Sequence, residues 1–135
     1  MARLEHRLDV DAPPEDALDL VGDFTILSDF HPQVAICDVE GDGVGATRAL
    51  TLGDGSEAVE RLVALHPDGY EYEHVAGQAP LTRYRGRVRV IPRGAGCTII
   101  WSAEVHAERD EVKVVRRLLG LIETGAESAK RFLEG

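Results

Sequence analysis

From Arg83 to Val90 the chain alternates without a break: Arg83, Arg85, Arg87 and Arg89 interleave with Tyr84, Gly86, Val88 and Val90. A period of two places successive side chains on opposite faces of a strand. Four guanidiniums on one face have to be solvated, so the other face points into a core. The same period recurs on either side. Leu4, His6, Leu8 and Val10 alternate with Arg3, Glu5, Arg7 and Asp9, and Cys97, Ile99, Trp101, Ala103 and Val105 share one face of a later run. Asp54-Gly55, Pro67-Asp68-Gly69 and Arg93-Gly94-Ala95-Gly96 punctuate the runs as turns. The reading is a first strand over residues 3–11, then an antiparallel meander with strands near 34–39, 46–52, 57–66, 70–76, 83–91 and 97–106.

Between the first strand and the meander the signals are helical. Asp11-Ala12-Pro13-Pro14-Glu15 reads as an acidic cap, prolines in the first turn and a carboxylate near the positive end of the dipole. A short helix is expected over 14–21, broken at Gly22-Asp23, and a second over 24–30, ended by His31-Pro32. After about Asp110 the period changes. Val112, Val115, Leu118 or Leu119, Ile122, Ala126, Ala129 and Leu133 recur at helical spacing, opposite Lys113, Arg116, Glu123, Glu127 and Lys130. The small residues Gly125, Ala126 and Ala129 let this long helix lie close to the sheet. The architecture is therefore α+β: a curved antiparallel sheet whose concave face is covered by one long C-terminal helix. At 135 residues the chain suits one domain over 1–135.

Turn geometry sets register, and register sets facing. A three-residue Gly53-Asp54-Gly55 loop puts Arg48 opposite Glu60; a two-residue turn would set it against Arg61, where like charges repel. The first register is preferred. A three-residue Pro67-Asp68-Gly69 loop pairs Ala64 with Tyr72, Leu62 with His74 and Glu60 with Ala76, so that Glu60, Leu62, Tyr72 and His74 share a face. In the next hairpin Val88 is set opposite Ile99 and Gly86 opposite Trp101, which leaves room for the indole ring. Glu71, Glu73 and Glu104 are the partners expected for the arginine face.

Charge narrows the partners. A formal net charge of -9 argues against a nucleic-acid backbone or an anionic membrane, and the glutamates facing the arginines make that face a solvated one. No apolar run approaches the roughly 20 residues of a membrane helix, and Met1 to His6 lacks the apolar stretch of a signal peptide. Cys37 and Cys97 have neither a disulfide framework nor metal-ligand spacing and read as buried thiols. The expectations are a cytoplasmic protein, monomer or homodimer, with no metal and no cofactor. The glycines of Gly41-Asp42-Gly43-Val44-Gly45 precede a strand and not a helix, so they form no dinucleotide site.

The inward faces collect Arg48, Glu60, Tyr72, His74, Tyr84 and Trp101, with His6 as a further candidate. Buried charges pair, so Arg48 is expected on Glu60. Two readings of that pair stay open: a structural ion pair, or a pair that orients a ligand carbonyl or tunes acid–base chemistry. His74, near Tyr72 and Tyr84, is either simply hydrogen-bonded or a general acid or base next to a carbonyl. Trp101 is core or an aromatic wall. Val88, Val90, Ile99, Trp101 and Val105, with Leu118 and Ile122 from the helix, are the expected cavity lining, and His31 a helix end that sits near the cavity mouth.

In their order and spacing, Val10-Asp11-Ala12-Pro13-Pro14-Glu15, Phe30-His31-Pro32, Gly45-Ala46-Thr47-Arg48, Asp54-Gly55, Glu60-Arg61-Leu62 and a final strand carrying Trp101 are similar to the polyketide cyclase/dehydrase branch of the SRPBCC superfamily. This is the START and birch-pollen-allergen type of helix-grip fold, and the resemblance spans nearly the whole chain. It implies a seven-stranded sheet gripping the C-terminal helix around a hydrophobic cavity. Relatives include aromatase/cyclases of aromatic polyketide synthesis, lipid and hormone binders and many bacterial proteins, so bacterial secondary metabolism is the implied setting. Arg48 and Glu60 match recurrent positions of the branch. The cyclase implication is that Arg48, with tyrosine and histidine partners, positions a polyketone and stabilises an enolate. Where related sequences read Trp-His-Pro, this chain has Phe30-His31-Pro32, a departure at the cavity entrance.

Two functional readings follow. One is an enzyme that cyclises or dehydrates a small polyketide-like or cyclic ketone by acid–base chemistry, with Arg48, Glu60, His74 and Tyr84 as its catalytic set. The ligand is then held by Tyr72, Val88, Ile99, Trp101, Leu118, Ile122 and His31. The other is a binder or carrier of an apolar metabolite without chemistry. A regulatory domain is a weaker third reading, because the strand faces offer no exposed apolar patch.

Overall fold

The computed structural model describes residues 1–135. Its elements are β1 (Ala2–Val10), α1 (Pro14–Val21), α2 (Leu27–Phe30), β2 (Val34–Glu40), β3 (Thr47–Leu52), β4 (Glu57–His66), β5 (Gly69–Gly77), β6 (Leu81–Arg93), β7 (Gly96–Ala107) and α3 (Glu111–Glu134). The strands form one curved antiparallel sheet in the order β1-β7-β6-β5-β4-β3-β2. The two short helices carry the chain from one edge to the other, so β1 and β2 are the two edges and the rest is a meander. No helix is long and apolar enough to cross a membrane.

Helix α1 begins and ends where Pro14 and Gly22 predict, but Asp11 is not its cap. The N-cap position is Pro13, with no side-chain cap, and the Asp11 amide instead donates to Glu134 at 2.8 Å. Helix α2 is shorter than expected. The Asp23 carboxylate accepts from the Thr25 amide at 2.9 Å and its hydroxyl at 2.7 Å, and this local turn competes with helix until Leu27. His31 is extended, as a residue before proline should be.

Ala17 and Val21 of α1 are buried, and the helix packs against β6 and β7. Helix α3 packs mainly on β1 and β7 and buries Ile122, Gly125, Ala126, Ser128 and Ala129. At its start the buried residue is Val114, whereas Val112, expected on the inner stripe, is 73% exposed. The stripe therefore begins two residues later. A Cβ on Gly125 would stand 2.6 Å from the His31 ring and 2.9 Å from the Trp101 indole, so this glycine sets how closely the helix approaches.

Two hairpins depart from the expected registers. In β6–β7 the turn is Gly94-Ala95, with Gly94 at φ 59°, and it sets Val88 opposite Trp101, Val90 opposite Ile99 and Gly86 opposite Ala103. The space over Gly86 serves Tyr72 and not the indole: a Cβ there would lie 2.2 Å from Tyr72 Cζ. In β4–β5 the turn is a two-residue Pro67-Asp68, with His66 paired to Gly69, and register shifts follow between Leu62 and Ala64 and between Val59 and Glu60. The shifts place Leu62 opposite Tyr72 and Glu60 opposite His74. Arg48 does face Glu60, as the three-residue loop requires.

The convex face carries the arginine ladder in half-exposed ion pairs. Arg85 reaches Glu71 at 3.7 Å, while Asp68 takes Arg89 at 3.1 Å and Arg87 at 3.8 Å. Glu73 pairs instead with Arg61 at 2.8 Å and Glu104 with Arg3 at 3.0 Å. Cys97 is buried, Cys37 only partly so, and both are free thiols.

Candidate functional site

Between the concave face of β3 to β6, the first half of α3 and helix α2 lies a pocket of about 460 Å³. Its floor and walls include Leu50, Tyr72, Tyr84, Trp101, Leu118 and Ile122, with Arg48, Glu60, His74 and His31 among the polar groups. The mouth adds Arg109 and Asp110 just ahead of α3, Lys113 and Arg117 from its first turns, and Ser56, Glu57 and Gln78 at the facing ends of β4 and β5. Four cations and three carboxylates line this concavity of a strongly acidic chain.

Arg48 is central and fully out of solvent. Its Nε donates to Glu60 Oε1 at 2.9 Å, and Nη1 donates to the Phe24 carbonyl at 2.9 Å and to the Tyr70 hydroxyl at 3.2 Å. Nη2 lies 2.8 Å from the same Oε1, an ion-pair contact off the line of a hydrogen bond. The guanidinium carbon is 4.3 Å from the centre of the Phe24 ring, 5.0 Å from that of Tyr72 and 5.5 Å from that of Tyr70. Burial works against this charge, and the aromatic faces and Glu60 offset it. Glu60 is 12% exposed, and its second oxygen receives no hydrogen bond from the protein.

Opposite Glu60 on the next strand stands His74. Burial lowers its pKa and Glu60 opposes that effect, so the ring is neutral near neutral pH. On the other side of the pocket Trp101 Nε1 donates to the Tyr72 hydroxyl at 2.9 Å, and that hydroxyl lies 2.9 Å from the Tyr84 hydroxyl. Burial raises the pKa of all three tyrosines, so each is a neutral phenol.

His31, expected near the cavity mouth, is 3% exposed and lines the pocket from within. Its Nε2 donates to the Leu121 carbonyl at 2.8 Å, and Nδ1 accepts from the Gln33 amide at 3.2 Å. Both nitrogens are satisfied by the neutral ring, and burial lowers its pKa accordingly. The Ser128 hydroxyl donates to the Phe30 carbonyl at 2.6 Å, which fastens the same corner to α3. At the mouth, Asp54 is held down at about 2 by hydrogen bonds from Ser56 and Arg117; the Arg117 bond, at 2.9 Å, ties α3 to the β3–β4 loop.

The pocket thus gathers Arg48, Glu60, His74, Tyr84, Tyr72, Trp101, Leu118, Ile122 and His31. It does not include Val88, Ile99, Val90 or Val105, which were expected in the lining. These four are at most 2% exposed and belong to the solid core, over which α1 packs on β6 and β7 and α3 on β1 and β7. His6 is also outside: it faces α3, with Nε2 3.8 Å from Glu127. Sequence reasoning missed Tyr70 and Phe24, which hold the Arg48 guanidinium. Tyr70 was within reach, since it lies two residues from Tyr72 on the same strand face. The backbone carbonyl of Phe24 leaves no sequence signal.

No cluster of three or more potential metal ligands occurs. The family described as polyketide cyclase / dehydrase and lipid transport matches residues 1–134. Among solved structures, the fold is similar to protein XoxI from Bacillus cereus, at 21% identity and TM-score 0.91, covering 98% of this chain and 96% of that one. A protein from Thermobifida fusca is 32% identical over 93% of this chain and 85% of its own, with TM-score 0.74. Norcoclaurine synthase from Thalictrum flavum, solved with dopamine and hydroxybenzaldehyde, is 24% identical with TM-score 0.76, over 97% of this chain and 85% of its own. Among curated proteins none matches.

Proposed function

This chain belongs to the polyketide cyclase/dehydrase and lipid transport family of the SRPBCC superfamily, and from that premise we propose that its pocket binds a small, largely apolar ketone, polyketide-like or cyclic, and moves a proton next to the carbonyl. The observation that carries this reading is the cross-strand pair of Glu60 and His74, both lining the pocket. A neutral imidazole can take a proton from the carbon beside a carbonyl, leaving an enolate, and Glu60 favours the imidazolium that forms. Tyr84 supplies a hydroxyl to the enolate oxygen. Protonation of a leaving β-hydroxyl by the imidazolium releases water and completes a dehydration; alternatively, the enolate carbon attacks a second carbonyl and the imidazolium protonates the new alkoxide, completing a cyclisation. Arg48 acts one step back, as a positioning residue whose Nε fixes Glu60 while Nη1 is held by the Phe24 carbonyl and the Tyr70 hydroxyl. The wider proposal is a cytoplasmic domain over 1–135, monomer or homodimer, working without metal or cofactor.

Turnover of a diketone or cyclic ketone by the wild type and by His74→Ala, Tyr84→Phe and Arg48→Lys tests these roles. Full activity in all three variants rules them out. A second reading, a carrier without chemistry, is favoured by the full burial of Arg48, whose Nε and Nη1 are held within the protein. Native mass spectrometry of the purified protein would find a retained ligand, and recovery of that ligand unchanged after incubation supports the carrier.

A further inference from the structure

We infer that Trp101, Tyr72 and Tyr84 form a one-way hydrogen-bond relay that leaves the Tyr84 hydroxyl a donor into the pocket, so that the site selects ligands by an acceptor oxygen and rejects donors of similar shape. The inference rests on the proposed ligand site and adds what that site demands of its ligand.

The direction follows from donor and acceptor accounting. The indole N–H can only donate, so at 2.9 Å it makes the Tyr72 oxygen an acceptor. Tyr72 then has one hydrogen to place, and the Tyr84 oxygen 2.9 Å away is the acceptor in reach. If Tyr84 donated instead, the Tyr72 hydrogen would have no acceptor within the protein, since the hydroxyl's other contact is the indole donor. A buried donor left unmade costs about 1–3 kcal/mol. Tyr84, 6% exposed and lining the pocket, is the member able to reach a ligand with its own hydrogen.

The fold fixes this arrangement. Tyr72 pairs with Gly86 across β5 and β6, and the bare backbone there admits the Tyr72 ring, which a Cβ at 2.2 Å would displace. Each link also polarises the next, which strengthens the terminal donor. Trp101 is therefore a positioning residue for ligand choice, acting through Tyr72. A carbonyl or phenolate oxygen accepts the Tyr84 hydrogen; an N–H ligand leaves that hydrogen without an acceptor.

Two measurements test this. Proton NMR of the ligand-free protein should show one protected hydroxyl hydrogen between the two phenols, assigned through its ring contacts to Tyr72. Assignment to Tyr84 overturns the relay, whatever the ligand. Binding is then read by calorimetry, with 1-tetralone as acceptor probe and indole as donor probe of similar size. The wild type should prefer 1-tetralone by about tenfold. Tyr84→Phe should abolish the preference. Trp101→Phe should reduce it to about threefold, because Tyr72 can then accept from Tyr84. A ratio near one in the wild type, or an unchanged ratio in both variants, overturns the selection. Failure of both probes to bind defeats the ligand site and the selection together, while the hydroxyl assignment still decides the relay.

Discussion

Arg48 and Glu60 face each other across β3 and β4 with Nε 2.9 Å from Oε1, and no part of the arginine reaches solvent. A charge held this way is satisfied on one side by Glu60, the Phe24 carbonyl and Tyr70 and shielded on the other by aromatic rings. Removing one partner strands the other. Arg48→Ala should therefore cost about 3–5 kcal/mol in urea unfolding. Replacing Arg48 and Glu60 together by Met and Leu should recover most of that loss. A single variant as stable as the wild type would mean the pair is not holding the sheet.

Gly86→Ala should destabilise by roughly 1–3 kcal/mol, because the new methyl overlaps the Tyr72 ring. The damage should be visible at Trp101, whose indole N–H resonance shifts when Tyr72 moves. Gly43, with nothing near its Cβ but a positive φ, gives a control in which strain acts without overlap.

Acid should weaken the fold through its two buried histidines. Burial lowers the pKa of both His31 and His74 from the ordinary 6.5. Between the folded and unfolded values the unfolded chain binds more protons, so stability is fully present above about pH 6.5 and is lost as pH falls through the folded values. Asp54, Glu71 and Glu134, whose pKa values are also lowered, contribute only further down. Urea midpoints should fall between pH 7 and pH 5, and His31→Gln should flatten that slope. A flat wild-type profile contradicts the neutral assignment.

Arg117→Ala should leave the unfolding midpoint close to that of the wild type and speed the release of a bound ligand. The pair it forms with Asp54 is half exposed, so its contribution to stability is small, but it joins α3 to the β3–β4 loop across the pocket mouth. Stopped-flow release of 1-tetralone reads this directly; unchanged release removes the tie as a gate.

How far the sequence reaches can be read in particular residues. Alternation places Tyr84 and Trp101 inward, and charge repulsion at Arg61 chooses the register that sets Arg48 on Glu60. Both are local arguments, and both match the structure. The Glu60–His74 pairing was not legible, because it depends on register shifts within β4 and β5 that leave the alternation almost untouched. The β6–β7 register differs by two residues for another reason: several turns fit Arg93 to Gly96. Val88 and Ile99 were assigned to the cavity because an inward face does not say what covers it. Only the tertiary packing of α1 and α3 turns that part of the sheet into solid core.

The most direct test of the account is deuterium incorporation beside the carbonyl of 1-tetralone, followed by proton NMR in D2O near pH 7. Wild-type protein should bind the ketone and exchange its α-hydrogens faster than buffer, His74→Ala should bind it without acceleration, and Tyr84→Phe should lose both affinity and rate. Binding with exchange at the buffer rate in the wild type would contradict proton transfer in this pocket and leave the carrier reading in its place.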